Sequence, residues 1–227
     1  MTGSFYAGRI GYFGPDGENG REWFEMVPHA GGMTVRAFCE MDELELTRDV
    51  TISLDSDSRP LDAFVRVIQH GRTLGSAWFL VGEREVVCEG VTAARGRVSQ
   101  REAITPPLRY LGLHPLVCDG LIAVSRGTDR DGEFVPVEII TNSTSPNGEE
   151  ELVAIPSVID VAYLGDEQIE VPAGRFDAHR YALRWQPDWS PAELWVHGPQ
   201  ALFLRLNWDQ IDSHYDLLEL RLSLIHI

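Results

Sequence analysis

Apolar and polar residues alternate with a period of two along most of the chain. In the segment 33–41, for example, every second residue is apolar: Met33, Val35, Ala37, Cys39 and Met41. Successive side chains of a strand point to opposite faces, so this alternation predicts half-buried strands. Similar patterns predict strands near 5–13, 21–28, 33–42, 46–54, 62–70, 75–81, 85–91, 96–102, 121–127, 134–140, 151–155, 158–164, 167–171, 176–185, 192–197, 201–208 and 214–221.

One segment, from about Pro106 to Leu116, is predicted to be helical. Its two prolines suit a first helical turn, and Pro115 would end it. Many short strands with a single helical interruption indicate an all-β fold. We expect an antiparallel, meandering β-barrel or two packed sheets, because closure removes exposed strand edges, with the helical segment capping the barrel mouth.

The chain is expected to form one domain over 1–221. Its 227 residues can bury a substantial core, and no repeat or linker divides them. The polar loop 141–150 is the best candidate for a boundary between two sub-barrels, although it also fits an exposed hairpin loop. Residues 222–227 resemble translated adapter sequence. We expect them to be a non-native tail, which removes His226 from the candidate ligands.

Charge and composition exclude several functions. The 35 acidic residues outnumber the 19 basic ones, giving a net charge of −16, so we expect neither nucleic acid nor an anionic membrane as a partner. Every basic residue is arginine, which excludes Schiff-base and P-loop chemistry. No metal-ligand spacing, dinucleotide fingerprint or nucleophile elbow occurs. We therefore predict no cofactor and no metal site.

The cysteines and the N-terminal residues bear on location. Cys39, Cys88 and Cys118 are odd in number and have apolar neighbours, which is typical of reduced, buried thiols. The start of the sequence lacks the pattern of a secretory signal, and no apolar run approaches the length of a membrane span. We expect a cytoplasmic protein, which could form a homo-oligomer.

The richest group of candidate site residues lies in the C-terminal third. If the turn after 176–185 is centred near Asp188, Tyr181 lies opposite Trp195 and His179 opposite His197. A second turn at Gly198 would extend the same face, which then carries His179, Tyr181, Glu193, Trp195, His197, Phe203 and Arg205. This face could line a ligand pocket in which His179 or Tyr181 transfers protons and Arg205 binds an anionic oxygen. Alternatively, Glu193 and Arg205 form a surface pair and the aromatic residues cover the barrel exterior; a one-residue slip exchanges the faces.

Other candidates are polar residues with apolar neighbours in the first 120 residues. Strand segments there contain Arg36, Glu40, Arg48, Arg66, His70, Trp78, Glu89, Arg97 and Gln100. We expect Arg66 to face the interior and pair with Glu89, because buried charges must be paired. Arg36 and Trp78 are further substrate-binding candidates. In the capping segment, Tyr110 and His114 would contact the ligand, and His114 would accept a proton near pH 7; alternatively, His114 is a helix-terminal residue with a satisfied hydrogen bond.

The C-terminal third also carries a family resemblance. The segment Glu170-Val-Pro-Ala-Gly-Arg-Phe-Asp-Ala-His-Arg-Tyr181, followed by Glu193-Leu-Trp-Val196 and Leu202-Phe-Leu-Arg-Leu206, resembles the C-terminal strands of bacterial lipocalin-like barrels. The resemblance rests on Val-Pro-Ala-Gly-x-Phe at the start of a strand, and it implies a closed or nearly closed barrel with a central cavity. Such barrels include carriers and enzymes.

Together these features predict a function on a hydrophobic, aromatic small molecule. We expect a cofactor-independent lyase or isomerase that uses general acid/base chemistry in a barrel cavity, as cofactor-free lyases of lignin-derived dimers do. Arg205 or Arg66 would stabilise an oxyanion, and a histidine or tyrosine would move the proton. The alternatives are a non-catalytic carrier or sensor with the same cavity, and a structural protein with a filled core.

Overall fold

The computed structural model describes residues 2–226 and consists mainly of β-strands. The fifteen strands are β1 (Thr2–Gly14), β2 (Gly17–His29), β3 (Gly32–Met41), β4 (Leu46–Asp55), β5 (Pro60–Gln69), β6 (Arg72–Val81), β7 (Glu85–Thr92), β8 (Gly96–Ala103), β9 (Leu111–Gly112), β10 (Val135–Thr141), β11 (Ile155–Val171), β12 (Gly174–Arg184), β13 (Ala192–His197), β14 (Leu202–Trp208) and β15 (Ser213–His226). The helices are α1 (Leu116–Asp119), α2 (Ile122–Arg126) and a 3₁₀ turn at Asp209–Ile211.

All strands belong to one sheet, in the order β8-β7-β6-β5-β4-β3-β2-β1-β15-β14-β13-β12-β11-β10-β9. Neighbouring strands are antiparallel except β9 and β10, which are parallel. The sheet curls into a barrel-like shape, and its two edges, β8 and β9, do not pair with each other in the described part of the chain. The expected all-β, meandering, barrel-like fold with a short helical segment is confirmed.

The seam between the two edges is bridged by a side chain. Gln100 of β8 donates from Nε2 to the carbonyl of Ala154 at 2.7 Å and accepts from the Ala154 amide at 3.1 Å. This reciprocal pair imitates one rung of a β-ladder. It attaches the loop before β11 to β8 and gives both the N–H and the C=O group of Ala154 a partner.

Side-chain alternation places an apolar row inside the sheet. Directly opposed residues on six neighbouring strands form this row: Tyr12, Tyr215, Leu206, Leu194, Tyr181 and Tyr163. Five of them are at most 6% exposed, and the sixth, Tyr215, lines the cavity described below. The inner face of the sheet therefore forms the core and one cavity wall.

The helical segment differs from its prediction. Residues 106–110 form a loop, and the helices begin after Pro115, which the sequence analysis placed at a helix end. Pro115 immediately precedes α1 with φ −66°, because proline lacks the N–H that a first helical turn leaves unpaired anyway. The strand predicted at 121–127 is wrong for a related reason: that apolar run is α2, and short apolar runs do not distinguish strand from helix.

Two further details of the strand prediction are wrong. Of the strand predicted at 151–155, residues 151–154 are loop; the strands predicted at 158–164 and 167–171 do form, but as parts of one continuous strand, β11. A bulge between Tyr163 and Gly165 shifts the register there without ending the strand. Residues 222–226, expected to be a non-native tail, continue β15 beside β1, and residue 227 lies outside the described residues.

Candidate ligand-binding cavity

A cavity of about 370 Å³ lies against the inner face of the sheet. Much of its wall is aromatic: Tyr12, Tyr110, Trp185, Trp189, Trp208 and Tyr215. Aliphatic side chains complete the wall, among them Ile139, Ile159 and Leu206. A cavity of this size with a mostly apolar wall matches the usual dimensions of small-molecule sites.

Three tryptophans form one side of this wall. The rings of Trp185 and Trp208 have centroids 4.6 Å apart, and those of Trp189 and Trp208 are 5.6 Å apart. Trp208 ends β14, whereas Trp185 and Trp189 lie in the loop that follows β12, so a strand end and a separate loop bring the rings together. The indole Nε1 of Trp208 is buried without a hydrogen-bond partner. A tryptophan in this setting offers both a flat apolar face and a free donor.

A buried carboxylate fixes the helical segment to the sheet. Glu22 of β2 is fully buried and accepts hydrogen bonds from the Leu116 amide at 2.7 Å and the Val117 amide at 2.9 Å. It also accepts from the Tyr12 hydroxyl at 2.9 Å and the Cys39 thiol at 3.5 Å. The two amides belong to the first turn of α1, whose N–H groups have no partner within the helix. Desolvation raises the pKa of Glu22, whereas these donors oppose that rise.

A carboxyl group with a near-neutral pKa also lines the cavity. The Tyr110 hydroxyl donates to Oδ1 of Asp119 at 2.7 Å, and both residues lie on the wall. Burial raises the pKa of Asp119 to about 7, although the Tyr110 hydrogen bond lowers it. Near pH 7 this group can both release and accept a proton.

A second charged group, Arg48 of β4, lies under the loop between β10 and β11. Residues 143–148 of this loop are here called the strap, and residues 143–147 of it line the cavity. Arg48 is fully buried, and its Nη2 donates to the Asn147 carbonyl of the strap. Its Nε and Nη1 have no hydrogen-bond partner. Gly148 has φ +65°, and a Cβ there would lie 2.5 Å from the His114 ring and 2.8 Å from Arg48 Nη2. The strap can therefore pack this closely only with glycine at this position.

His114 lies beside Arg48 on the wall. Burial, together with the positive charge of Arg48, lowers the pKa of His114 to about 3. Its Nε2 donates to the Ser143 carbonyl of the strap at 3.3 Å. His114 therefore stays neutral at pH 7. The expectation that it accepts a proton near neutrality is wrong, because burial next to a permanent cation disfavours the imidazolium.

Of the candidate residues named from the sequence, Tyr110, His114 and Arg48 lie on the wall. The expected face of the C-terminal hairpins is wrong, because the pairing of β12 with β13 differs by one residue from the prediction. Tyr181 lies opposite Leu194 rather than Trp195, and Arg180 takes the place opposite Trp195. Such a shift exchanges the two faces of a strand.

Trp195 and Arg205 consequently belong to a polar network outside the cavity wall. The Trp195 indole donates to Glu167 at 2.7 Å, and the guanidinium of Arg180 lies 5.2 Å above its ring. Arg205 donates to both carboxylate oxygens of Asp216, at 2.6 and 3.0 Å. Arg205 is thus engaged in a cross-strand ion pair, as in the alternative interpretation but with Asp216 instead of Glu193.

The remaining residues of the predicted face also lie outside the cavity wall. Tyr181 and Phe203 are core residues, exposed by 2% and 0%. His179 is partly exposed, with its Nδ1 2.5 Å from Oδ1 of Asp166, and His197 Nδ1 lies 2.7 Å from a backbone carbonyl. These side chains therefore do not line the cavity, and the single face on which the sequence placed them does not form.

The three substrate-binding candidates from the N-terminal half, Arg36, Arg66 and Trp78, lie on the outer surface. Arg36 pairs with Glu25 at 3.4 Å, and Trp78 is 49% exposed. Arg66 is exposed and lies 5.2 Å from the Phe64 ring, rather than facing inward with Glu89. In all three cases the strand alternation directs the side chain outward while its sequence neighbours face the core.

Sequence reasoning did not select Glu22, and it named Arg48 without assigning it to the inner face of its strand. Glu22 occupies the same strand face as the buried Phe24 and Met26, and Arg48 the same face as Leu46 and Val50. A charged residue at an inward position of an alternating strand was therefore the available signal. Asp119 gave no such signal, because its burial depends on the helical segment folding over the cavity.

The fold has structural relatives but no sequence match. No protein-family model and no curated protein sequence matches this chain. Its structure is similar to a β-barrel-like protein of domain of unknown function DUF1849 from Brucella abortus, with a TM-score of 0.61, 10% identity and 97% of each chain covered. It is also similar to a DUF1089 family protein from Pseudomonas aeruginosa, with a TM-score of 0.50, 12% identity, and 84% of this chain and 90% of that one covered.

These similarities concern the fold. The chain is a β-barrel-like protein, and the likeness extends over nearly all of it instead of the C-terminal third that the sequence indicated. The described helices are too short or too polar to cross a membrane. Within residues 2–226, no group of three or more His, Cys, Asp or Glu side chains is arranged to hold a metal ion.

Proposed function

We propose that this protein binds a hydrophobic, aromatic small molecule in the cavity inside its curled sheet. The observation that carries this proposal is the wall itself, where six aromatic rings and several aliphatic side chains surround about 370 Å³. Stacking on such rings contributes about 0.5–1.5 kcal/mol per aromatic pair beyond the burial of area. A closer relationship to lipocalin-like barrels is part of this proposal, because the carriage of small apolar ligands would fit both such a barrel and this cavity.

Ligand-induced stabilisation tests the binding proposal. A ligand at a hundred times its Kd stabilises the folded state by about 2.7 kcal/mol. For a chain of this size that corresponds to a rise in Tm of about 5–10 °C. We expect such a rise with 2-naphthol or a related bicyclic aromatic compound, and little change with a small polar alcohol such as glycerol.

Two tryptophan variants locate the binding. Trp185 lines the cavity and contacts Trp208, whereas Trp78 is half exposed on the outer surface. Trp185→Ala should weaken binding of 2-naphthol at least about tenfold, while Trp78→Ala should leave it unchanged. Equal effects of the two substitutions, or no stabilisation of the wild-type protein by any aromatic compound, would refute binding in this cavity.

A second candidate function is a cofactor-independent lyase or isomerase reaction on the bound molecule. It is favoured by Asp119, a wall carboxyl with a pKa raised by burial to about 7 and a hydrogen bond from Tyr110. In this proposal Asp119 is the general acid/base, replacing the histidines that the sequence suggested.

The catalytic proposal is tested by separating binding from turnover. Phenolic aryl dimers would be incubated with wild-type protein and with Asp119→Asn, and the products identified by mass spectrometry. We expect Asp119→Asn to abolish product formation while 2-naphthol binding persists. Asp57→Asn, at a carboxylate that is 65% exposed and lies outside the cavity wall, is the matched control. Turnover that survives in Asp119→Asn would exclude this residue, and absence of turnover in the wild type would leave the carrier function.

A cytoplasmic location also stays a proposal. It is supported by the three cysteines, all of them buried and free. Cell fractionation with an antibody against the chain would test it, and recovery in an extracytoplasmic fraction would contradict it.

A further inference from the structure

Two buried arginines of this chain differ in how their charge is compensated. The side chain of Arg126 is fully buried, and all three of its guanidinium nitrogens have acceptors, including Asp129 at 2.9 Å and the Val161 carbonyl at 2.9 Å. Arg48 is equally buried but has one acceptor, the Asn147 carbonyl, for five N–H groups. No carboxylate of the described chain lies within ion-pair distance of Arg48.

A buried guanidinium is costly when most of its N–H groups have no acceptor. Arginine stays charged in proteins, so it cannot relieve the cost of burial by losing its proton. Each buried donor without a partner costs about 1–3 kcal/mol, and more when it is charged. A fold retains such a group without loss only if something outside the chain supplies the missing acceptors, and Arg48 is part of the cavity wall.

The rest of the wall indicates what kind of acceptor this is. Trp208 Nε1 is a second wall donor without a partner. Among the described wall residues Arg48 is the one permanent cation, since His114 is held neutral. One cation can balance one negative charge, and the net charge of −16 disfavours ligands with several. A planar carboxylate matches the guanidinium and can accept two parallel hydrogen bonds from it.

We propose that Arg48 binds the carboxylate of the cavity's ligand, which makes the ligand an aromatic monocarboxylate. This inference rests on the proposed binding function and specifies its ligand class. The aromatic wall would hold the ring system, and the carboxylate would take the place beside Arg48 that the Asn147 carbonyl of the strap now occupies. Since the guanidinium is shielded from water in the free protein, the strap has to move outward when the carboxylate enters.

The test compares two ligands that differ only in charge. Isothermal titration of wild-type protein would use 2-naphthoate and its uncharged analogue 2-naphthamide. We expect 2-naphthoate to bind at least tenfold more tightly. Arg48→Met should remove this preference, while binding of 2-naphthamide changes less than threefold. Arg126→Met is the matched control for loss of a buried arginine, and the folded fraction of that variant should keep the preference for 2-naphthoate.

Stability supplies an independent readout. Replacing an unpaired buried charge by an apolar side chain is neutral or stabilising, whereas breaking a fully paired one is destabilising. Arg48→Met should therefore keep or raise Tm, and Arg126→Met should lower it.

The outcomes separate this inference from the function on which it rests. Equal affinities of wild-type protein for 2-naphthoate and 2-naphthamide overturn the role of Arg48 and leave the aromatic cavity standing. If Arg48→Met still binds 2-naphthoate more tightly than 2-naphthamide, the role of Arg48 is likewise overturned and the aromatic cavity stands. Failure of both compounds to bind wild-type protein removes the binding function and this inference together. If Arg48→Met does not fold, Arg48 is a structural residue and the inference is overturned, whatever the wild-type preference.

Discussion

The pKa values of two wall residues, His114 and Asp119, are shifted in opposite directions. Their contributions to the stability of this protein in acid should therefore nearly cancel. The pKa of His114 falls from 6.5 to about 3 on folding. Its contribution to the free energy of unfolding is complete above pH 6.5 and is lost as the pH falls towards 3. The pKa of Asp119 rises from 3.8 to about 7. Its contribution is complete below pH 3.8 and is lost as the pH rises through 7.

The magnitudes follow from the width of the shared pH window. Between pH 6.5 and 5 each group changes the free energy of unfolding by about 1.4 kcal/mol per pH unit, or about 2 kcal/mol in total. His114 destabilises the fold on acidification, and Asp119 stabilises it. Relative to wild type, His114→Asn should therefore gain about 2 kcal/mol over this window, and Asp119→Asn should lose about 2 kcal/mol.

Urea unfolding followed by tryptophan fluorescence at pH 8, 6.5, 5.8 and 5 measures these differences. Asparagine suits the His114 position because the backbone there has φ +71°, which asparagine tolerates. The double variant serves as the control, since both perturbations are then absent and its pH dependence should parallel that of wild type. If His114→Asn follows the wild-type curve at every pH, the imidazole is not held neutral by burial and Arg48, and the reasoning is refuted.

Three further predictions concern single side chains. Glu22→Ala should lower the free energy of unfolding by at least about 3 kcal/mol, because four buried donors lose their acceptor, whereas Glu22→Gln should cost less; equal losses in chemical denaturation would contradict this account. Gly148→Ala should destabilise the fold by more than about 1 kcal/mol, through its positive φ and the close approach to His114, and an unchanged Tm would show that the strap is not tightly packed. His179→Ala should leave 2-naphthol affinity unchanged in titration calorimetry, because the ring lies outside the cavity wall; a tenfold loss would return it to the site.

Period-two alternation predicted the strands well and their pairing poorly. It assigned β3 and β4 nearly to their observed ends, because the inward positions of both strands are apolar with the exception of Arg48. The loop between β12 and β13, however, determines which residues face each other, and nothing in the alternation distinguishes a turn centred on Asp188 from one shifted by a residue. That single shift moved Trp195 from the predicted cavity to the opposite face.

The site was harder to predict than the fold, because it depends on which face of each strand turns inward and the alternation alone does not give this. Tyr110 and His114 were found because polar residues interrupt an apolar segment, and this signal survived the wrong helix assignment around them. Arg48 was recognised as a polar residue among apolar neighbours but was not distinguished from Arg66, which faces outward. Distinguishing them needs the phase of the alternation in each strand. The environment of Asp119 needs the three-dimensional path of the chain.

The order of strands in the sheet has a consequence for folding. Within residues 2–226 every antiparallel pairing joins strands that follow each other in sequence, except that of β1 with β15. Local hairpins close quickly because they order few residues, so β1–β8 and β10–β15 should each assemble on their own and meet late along β1 and β15. A backbone cut in the loop 104–110 would then give two fragments that recombine when mixed. Ligand added to that mixture should accelerate recovery, because Arg48 and the tryptophans lie on different fragments.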